Sequence, residues 1–208
     1  IEEIDGEAVI GAGQAMTPGA AMGLAKALLK RAAHGGFLPE TVLYIDGDLI
    51  VWWVPPTRRH IAFRVDEDHA EAFGGRERGQ SVPHPGLVFA ASGRVWRVWA
   101  VKGAGRPTPD TALYQVPYFN VDVRGNICQG NAPVPEGTTV ERIAAWNDAF
   151  LRSYFTHPNG PGKLVRYRGG AYAFWRDMLD GRFQRFPERV LVDVKTTLGG
   201  LLGLKEGA

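Results

Sequence analysis

The chain has 208 residues, 45% hydrophobic and 22% charged, with a net charge of +2; such a composition is ordinary for a globular protein and long enough to bury a sizeable core. No run of about twenty apolar residues is present, which excludes a bilayer-spanning segment, and the single cysteine, Cys128, excludes an intrachain disulfide and a multi-cysteine zinc site. One domain over 1–208 is expected and, without a basic-then-apolar leader at its start, a soluble cytoplasmic location with no membrane partner.

Residues 1–16 read as a flexible lead-in. Gly11-Ala12-Gly13 lacks the third glycine and the lysine that a phosphate-binding loop needs. A first helix follows: Thr17 caps it, Pro18 suits its first turn, Ala21, Leu24, Ala25 and Leu28 share one side, and Gly35-Gly36 ends it. Three β-rich runs at 41–45, 49–54 and 59–65 are punctuated by Asp46-Gly47 and Pro55-Pro56, the pattern of an antiparallel meander. Asp66, Glu67, Asp68 and Glu71 read as a solvated turn, and 74–80 as an exposed polar loop. Strands at 87–91 and 94–102 flank a Ser92-Gly93 turn, with Trp96 and Trp99 on opposite faces by parity.

From 103 to 137 no period of 2 or 3.6 is sustained, yet Tyr114, Val116, Tyr118, Phe119, Val121, Val123 and Ile127 are too apolar for a solvated linker. An ordered irregular segment of this kind points to function. Thr138 and Glu141 fit a capping box, and Ile143, Trp146, Phe150 and Tyr154 keep helical spacing, which predicts a helix over 139–155. His157-Pro158-Asn159-Gly160-Pro161-Gly162 then breaks it; a short aromatic helix at 171–179 and a weak strand at 190–194 precede a tail, 198–208, whose structure the pattern leaves open. Between Lys163 and Arg189 seven basic side chains face three acidic ones, interleaved with aromatic rings. Inward packing of the rings with the arginines in water accounts for this, and a nucleic-acid partner is not expected.

Two readings of Cys128 stand side by side. A free cysteine often packs as a small inert hydrophobe. This one lies among Gly125, Asn126, Gln129, Gly130 and Asn131, small and amide residues that leave room for another chain to approach the sulfur. His34, His60, His69 and His84 are scattered without ligand spacing, so no metal is expected.

The stretch from Tyr118 to Cys128 resembles the active-site segment of the ubiquitin-conjugating enzymes. There an asparagine lies eight residues before the catalytic cysteine, a glycine three before it and an aliphatic residue directly before it; Asn120, Gly125 and Ile127 match these. Tyr118 and Phe119 stand where that family has histidine and proline, and Gln129-Gly130 where it has leucine and an acidic residue. The phrases 117–130 and 146–159 are similar to PRTRC system protein B, a prokaryotic family in a mobile-element cassette that includes a ThiF-type activating enzyme. The resemblance implies an α+β, UBC-like fold: an N-terminal helix, an antiparallel meander of about four strands, the irregular cysteine segment and C-terminal helices.

It also implies a transferase. Cys128 would take a ubiquitin-like protein as a thioester from the ThiF-type enzyme and pass it to an amine, without a cofactor of its own. Asn120 would inherit the stabilisation of the oxyanion; read by itself, it is a turn asparagine closing its own backbone. Bacterial relatives carry a histidine after the cysteine, a place that His157 could fill as a proton acceptor, although the same residue reads as a helix terminator. The alternatives are a non-catalytic UBC-like binding module, which burial of Cys128 would favour, and a nucleic-acid-associated factor, which needs a continuous positive surface.

Overall fold

The structure, a computed structural model, describes residues 2–4, 7–9, 16–32, 37–93, 95–130, 132–160 and 162–204. The chain divides into two compact units, 1–36 and 37–208. In the first, β1 (Glu2–Ile4) pairs antiparallel with β2 (Glu7–Val9), inside the stretch expected to be a lead-in. Helix α1 (Pro18–Ala32) follows, and the Thr17 hydroxyl accepts a hydrogen bond from the Ala20 amide at 3.2 Å, as a helix cap should. Gly11-Ala12-Gly13 and Gly35-Gly36 lie outside the described residues.

The second unit is built on a six-stranded antiparallel sheet in the order β11-β9-β8-β7-β4-β3. Its strands are β3 (Val42–Asp46), β4 (Leu49–Val54), β7 (Gly86–Ser92), β8 (Val95–Val101), β9 (Ala112–Gln115) and β11 (Val192–Thr197). Four of them, β3-β4-β7-β8, form a meander interrupted by an excursion between β4 and β7. That excursion contains β5 (Arg58–Arg64), α2 (Glu67–Phe73) and β6 (Glu77–Pro83). β5 and β6 pair in a separate small sheet, with register from Arg58↔Pro83 to Arg64↔Glu77.

The near-continuous apolar run of β4 arises because the large sheet is covered on both faces. By parity, Ile50, Trp52 and Val54 join Leu87, Phe89, Ala91, Val98 and Ala100 in the main core, while Val51 and Trp53 join Val88, Ala90, Trp99 and Val101 in a second cluster. The main core is closed by α3 (Ile143–Leu151) and α4 (Gly170–Leu179), through Trp146, Phe150, Phe174 and Trp175. The second cluster is closed by the tail: α5 (Leu198–Leu201) brings Leu198 and Leu201 against it. Trp96 and Trp99 accordingly serve different cores. Trp96 meets Trp146 at 5.3 Å between ring centroids, and Trp99 belongs to the second cluster.

Several expectations change. The polar stretch 74–80 is not a loop: Gly74, at φ 84°, ends α2, and Glu77 opens β6. β6 is an edge strand with little apolar alternation, held by backbone pairing to β5, so its sequence carries no strand signal. The acidic cluster beside it forms the N-terminus of α2, with Asp66 as the cap. The helix expected over 139–155 is shorter, a 3-10 turn (Val140–Arg142) leading into α3, because Tyr154–Phe155 leave the helical path as β10 and pair in parallel with Ala62 and Phe63 of β5. Thr139, not Thr138, is the N-cap, and the Thr138 hydroxyl donates to the Asp48 carbonyl at 2.5 Å.

The basic and aromatic stretch packs as expected. Phe174 and Trp175 are fully buried, and the Asp177 carboxylate, also buried, accepts hydrogen bonds from the Tyr167 hydroxyl at 2.6 Å and from Arg182 at 3.0 Å, with Arg176 at 3.3 Å. Burial pushes the Asp177 carboxyl up, but the Tyr167 and Arg176 hydrogen bonds and the two arginine charges outweigh it and hold the carboxyl below its ordinary value. Arg78 pairs in turn with Asp180 at 2.6 Å.

Candidate active-site groove around Cys128

The cysteine segment is an ordered loop anchored at its start by aromatic burial. Tyr118 and Phe119 are both fully buried among Phe63, Phe155 and Trp175, with ring centroids between 5.0 and 5.7 Å apart for Phe63 and its neighbours. The Tyr118 hydroxyl meets Nδ1 of buried His84, whose Nε2–H donates to the Arg59 carbonyl at 3.1 Å. These two aromatic side chains, in place of the histidine and proline of the resembled motif, fasten the front of the loop to the core.

After Phe119 the chain turns at Asn120, whose φ of 62° is a left-handed value that asparagine tolerates better than most residues. The loop is then closed by Asp122. Its Oδ1 accepts from the amides of Arg124 (2.8 Å) and Asn126 (2.9 Å), and its Oδ2 from the Asn126 side-chain amide (2.8 Å). Burial pushes the Asp122 carboxyl up, but these bonds and the Arg124 charge leave it below its ordinary value. Gly125, at φ 80°, presses against β8; a Cβ there would lie 2.8 Å from the Val98 carbonyl oxygen and 2.9 Å from the Trp99 ring. Backbone bonds stitch the loop to the same strand, from Val98 N to Gly125 O at 2.9 Å and from Ile127 N to Trp96 O at 3.1 Å. Arg97 Nε adds a bond to Asn126 Oδ1 at 2.7 Å.

Cys128 is the first residue after this closure, and it is exposed. Its amide donates to the Asn120 carbonyl at 2.8 Å, and the Asn120 amide donates to the His157 carbonyl at 2.9 Å. Asn120 therefore sits between the cysteine segment and the segment after β10, joined to each through its backbone. All three residues expected to carry chemistry line one groove of about 950 Å³. Pro133, Val134 and Pro135 form one wall, Ala145 and Ala149 of α3 another, and Arg64, Arg142 and Arg152 contribute cationic side chains.

The Asn120 amide is held at both ends. Nδ2 donates to the Tyr154 carbonyl at 2.9 Å, while Oδ1 accepts from the Thr156 amide (3.1 Å) and the Thr156 hydroxyl (2.7 Å). The orientation is unambiguous, since a flipped amide would face donor to donor and acceptor to acceptor. One N–H of Nδ2 remains for a ligand. His157 is exposed, and its Nδ1 lies 3.0 Å from the Thr156 hydroxyl.

The structure thus joins Cys128, Asn120 and His157 in one groove and adds residues the sequence pattern left unremarked: Thr156 beside the histidine, Asp122 within the loop, and Arg64, brought from β5, whose guanidinium lies 4.2 Å over the Tyr154 ring. Asp122 had a legible signal, because Asp-Val-Arg-Gly-Asn is the composition of a side-chain-closed turn. Thr156 and Arg64 had none, since their neighbours are distant in sequence.

An exposed thiol that shares a groove with an amide carrying a spare donor and with an imidazole is an arrangement suited to nucleophilic acyl chemistry. Among the described residues, no group of three histidine, cysteine, aspartate or glutamate side chains is placed to hold a metal ion, and no helix is long and apolar enough to cross a membrane. Neither a curated protein nor a solved structure matches the chain. The profile of the family described as prokaryotic E2 family D matches residues 20–194, most of the chain, and the chain belongs to that family.

Proposed function

We propose that the chain is a conjugating carrier: Cys128 accepts a ubiquitin-like protein as a thioester from a ThiF-type activating enzyme and passes it to an amine. The observation that carries this reading is the exposure of Cys128 in a groove that Asn120 and His157 also line. The Cys128 thiolate attacks the activated C-terminal carbonyl, and an amine later displaces the thiolate. The spare N–H of Asn120 is the donor available to the oxyanion. A buried thiol would have favoured a non-catalytic binding module instead. Membership of the PRTRC cassette, as its protein B, is the finer assignment we propose, on the phrases 117–130 and 146–159.

The test combines the chain with a ThiF-type enzyme and ubiquitin-like protein of the proposed cassette, with ATP, and compares non-reducing with reducing gels. Wild type should give a thiol-sensitive adduct, Cys128→Ala none, and Cys128→Ser a thiol-resistant ester. No adduct, with the activating enzyme charging itself normally, would turn the assignment to the binding module.

A further inference from the structure

Thr156 touches both Asn120 and His157, and its hydroxyl has a single hydrogen to give. Asn120 Oδ1 can only accept, and its orientation is set independently by the Thr156 amide and the Tyr154 carbonyl, so the Thr156 hydrogen goes to Oδ1 along the 2.7 Å bond. At the 3.0 Å contact with His157 the hydroxyl oxygen must then be the acceptor, and Nδ1 the donor. A neutral imidazole carries one ring proton. With that proton on Nδ1, Nε2 holds the free lone pair.

We infer that Thr156 is the positioning residue of this site: its hydroxyl holds the Asn120 amide and fixes His157 as the Nδ1–H tautomer, which leaves Nε2 as the base for an incoming amine. The inference rests on the carrier reading for its chemistry but not for its structural content. In the step it serves, the amine nitrogen bonds to the thioester carbonyl carbon, and one amine proton passes to His157 Nε2. The carbon–sulfur bond then breaks, with the electron pair leaving on the Cys128 thiolate, and the imidazolium releases its proton to solvent. Asn120 and His157 are thereby coupled through one hydroxyl, so the oxyanion donor and the base are placed together. Asp66 at the N-terminus of α2 has its carboxyl held below the ordinary value chiefly by its hydrogen bond with His69.

The first measurement is the tautomer of His157 in the full chain labelled with 15N-histidine, read from two-bond proton–nitrogen correlations at pH 8 and assigned with His157→Gln. The expected result is a proton on Nδ1 in wild type, a shift to the Nε2–H form in Thr156→Val, and restoration in Thr156→Ser. His84, held as Nε2–H by the Arg59 carbonyl, serves as an internal control for folding. A wild-type His157 carrying its proton on Nε2 overturns the inference without recourse to any variant, and so does a folded Thr156→Val indistinguishable from wild type.

The second measurement is the discharge of pre-charged protein to free lysine. Compared at equal thioester loading, Thr156→Val should discharge at least ~10-fold more slowly than wild type and Thr156→Ser close to wild type, since general-base assistance is worth roughly 10²–10⁴-fold and is weakened here rather than removed. Equal discharge by Thr156→Val would refute the catalytic half. Failure of wild type to charge at all would count against the carrier reading, while the tautomer would still decide on Thr156.

Discussion

Gly125 is the residue on which the cysteine loop depends most sharply for its shape. Its φ of 80° is strained for any side chain, and the space a Cβ would need is filled by the Val98 carbonyl and the Trp99 ring. The left-handed conformation alone costs a non-glycine residue about 1–3 kcal/mol, and the backbone oxygen at 2.8 Å cannot be moved as a flexible side chain could. Gly125→Ala should therefore lower the unfolding free energy by at least about 1 kcal/mol, read as a lower urea midpoint, and displace the loop from β8; an unchanged midpoint would contradict the packing described. Asn120 shows a different dependence at the same scale. Its left-handed backbone suits a turn, but its amide is held by Tyr154 and Thr156 rather than closing its own backbone as the turn reading expected, and one N–H stays free for a ligand. The structural and chemical roles of this side chain coexist.

At the scale of elements, the two-residue strand β10 matters beyond its length, because it delivers Thr156 and His157 to the groove. Pairing with Ala62 and Phe63 orients it, and Phe155, fully buried against Phe63, Tyr118 and Phe150, anchors it. Truncating a buried phenylalanine costs about 3–5 kcal/mol. Phe155→Ala should lose stability on that scale in chemical denaturation, and Phe155→Leu distinctly less. A loss below ~1 kcal/mol for the alanine variant would mean that β10 is not anchored as described. The helical spacing of Ile143, Trp146, Phe150 and Tyr154 predicts one long helix, but the chain leaves it after Leu151 and Phe155 is fully buried in the aromatic core. Local period and tertiary burial disagree here, and burial prevails.

Across the whole molecule, the buried His84 ties stability to pH. Burial, reinforced by the Arg59 charge and opposed by the Arg59 carbonyl, lowers its pKa from 6.5 to about 4. The unfolded chain thus binds a proton that the folded chain excludes between these values. The stabilisation is complete above pH 6.5, falls as pH drops towards 4, and amounts to on the order of 3 kcal/mol over that window. Denaturant titrations from pH 7.5 to 4 should show this decline, and a His84 variant that folds should show a flatter profile. Equal slopes for the two would exclude His84 as the cause. Carboxyls held low, such as Asp122 and Asp177, extend the loss below that range.

Much of this protein is local physics and was legible in order. Alternating and continuous apolar runs determined β4, β7 and β8; the lack of a sustained period, with small and amide residues around Cys128, identified the irregular segment; parity separated Trp96 from Trp99. Three things were decided only by the tertiary structure. β6 is a strand because β5 offers it a backbone partner, and backbone pairing leaves no mark in side-chain pattern. β10 is a strand because the aromatic core accepts Phe155. The assembly of Cys128, Asn120, Thr156 and His157 arises from hydrogen bonds that span 36 residues between Asn120 and Thr156. A sequence displays residue types and near neighbours, whereas a groove is made by contacts between residues far apart in the chain, which only folding brings together.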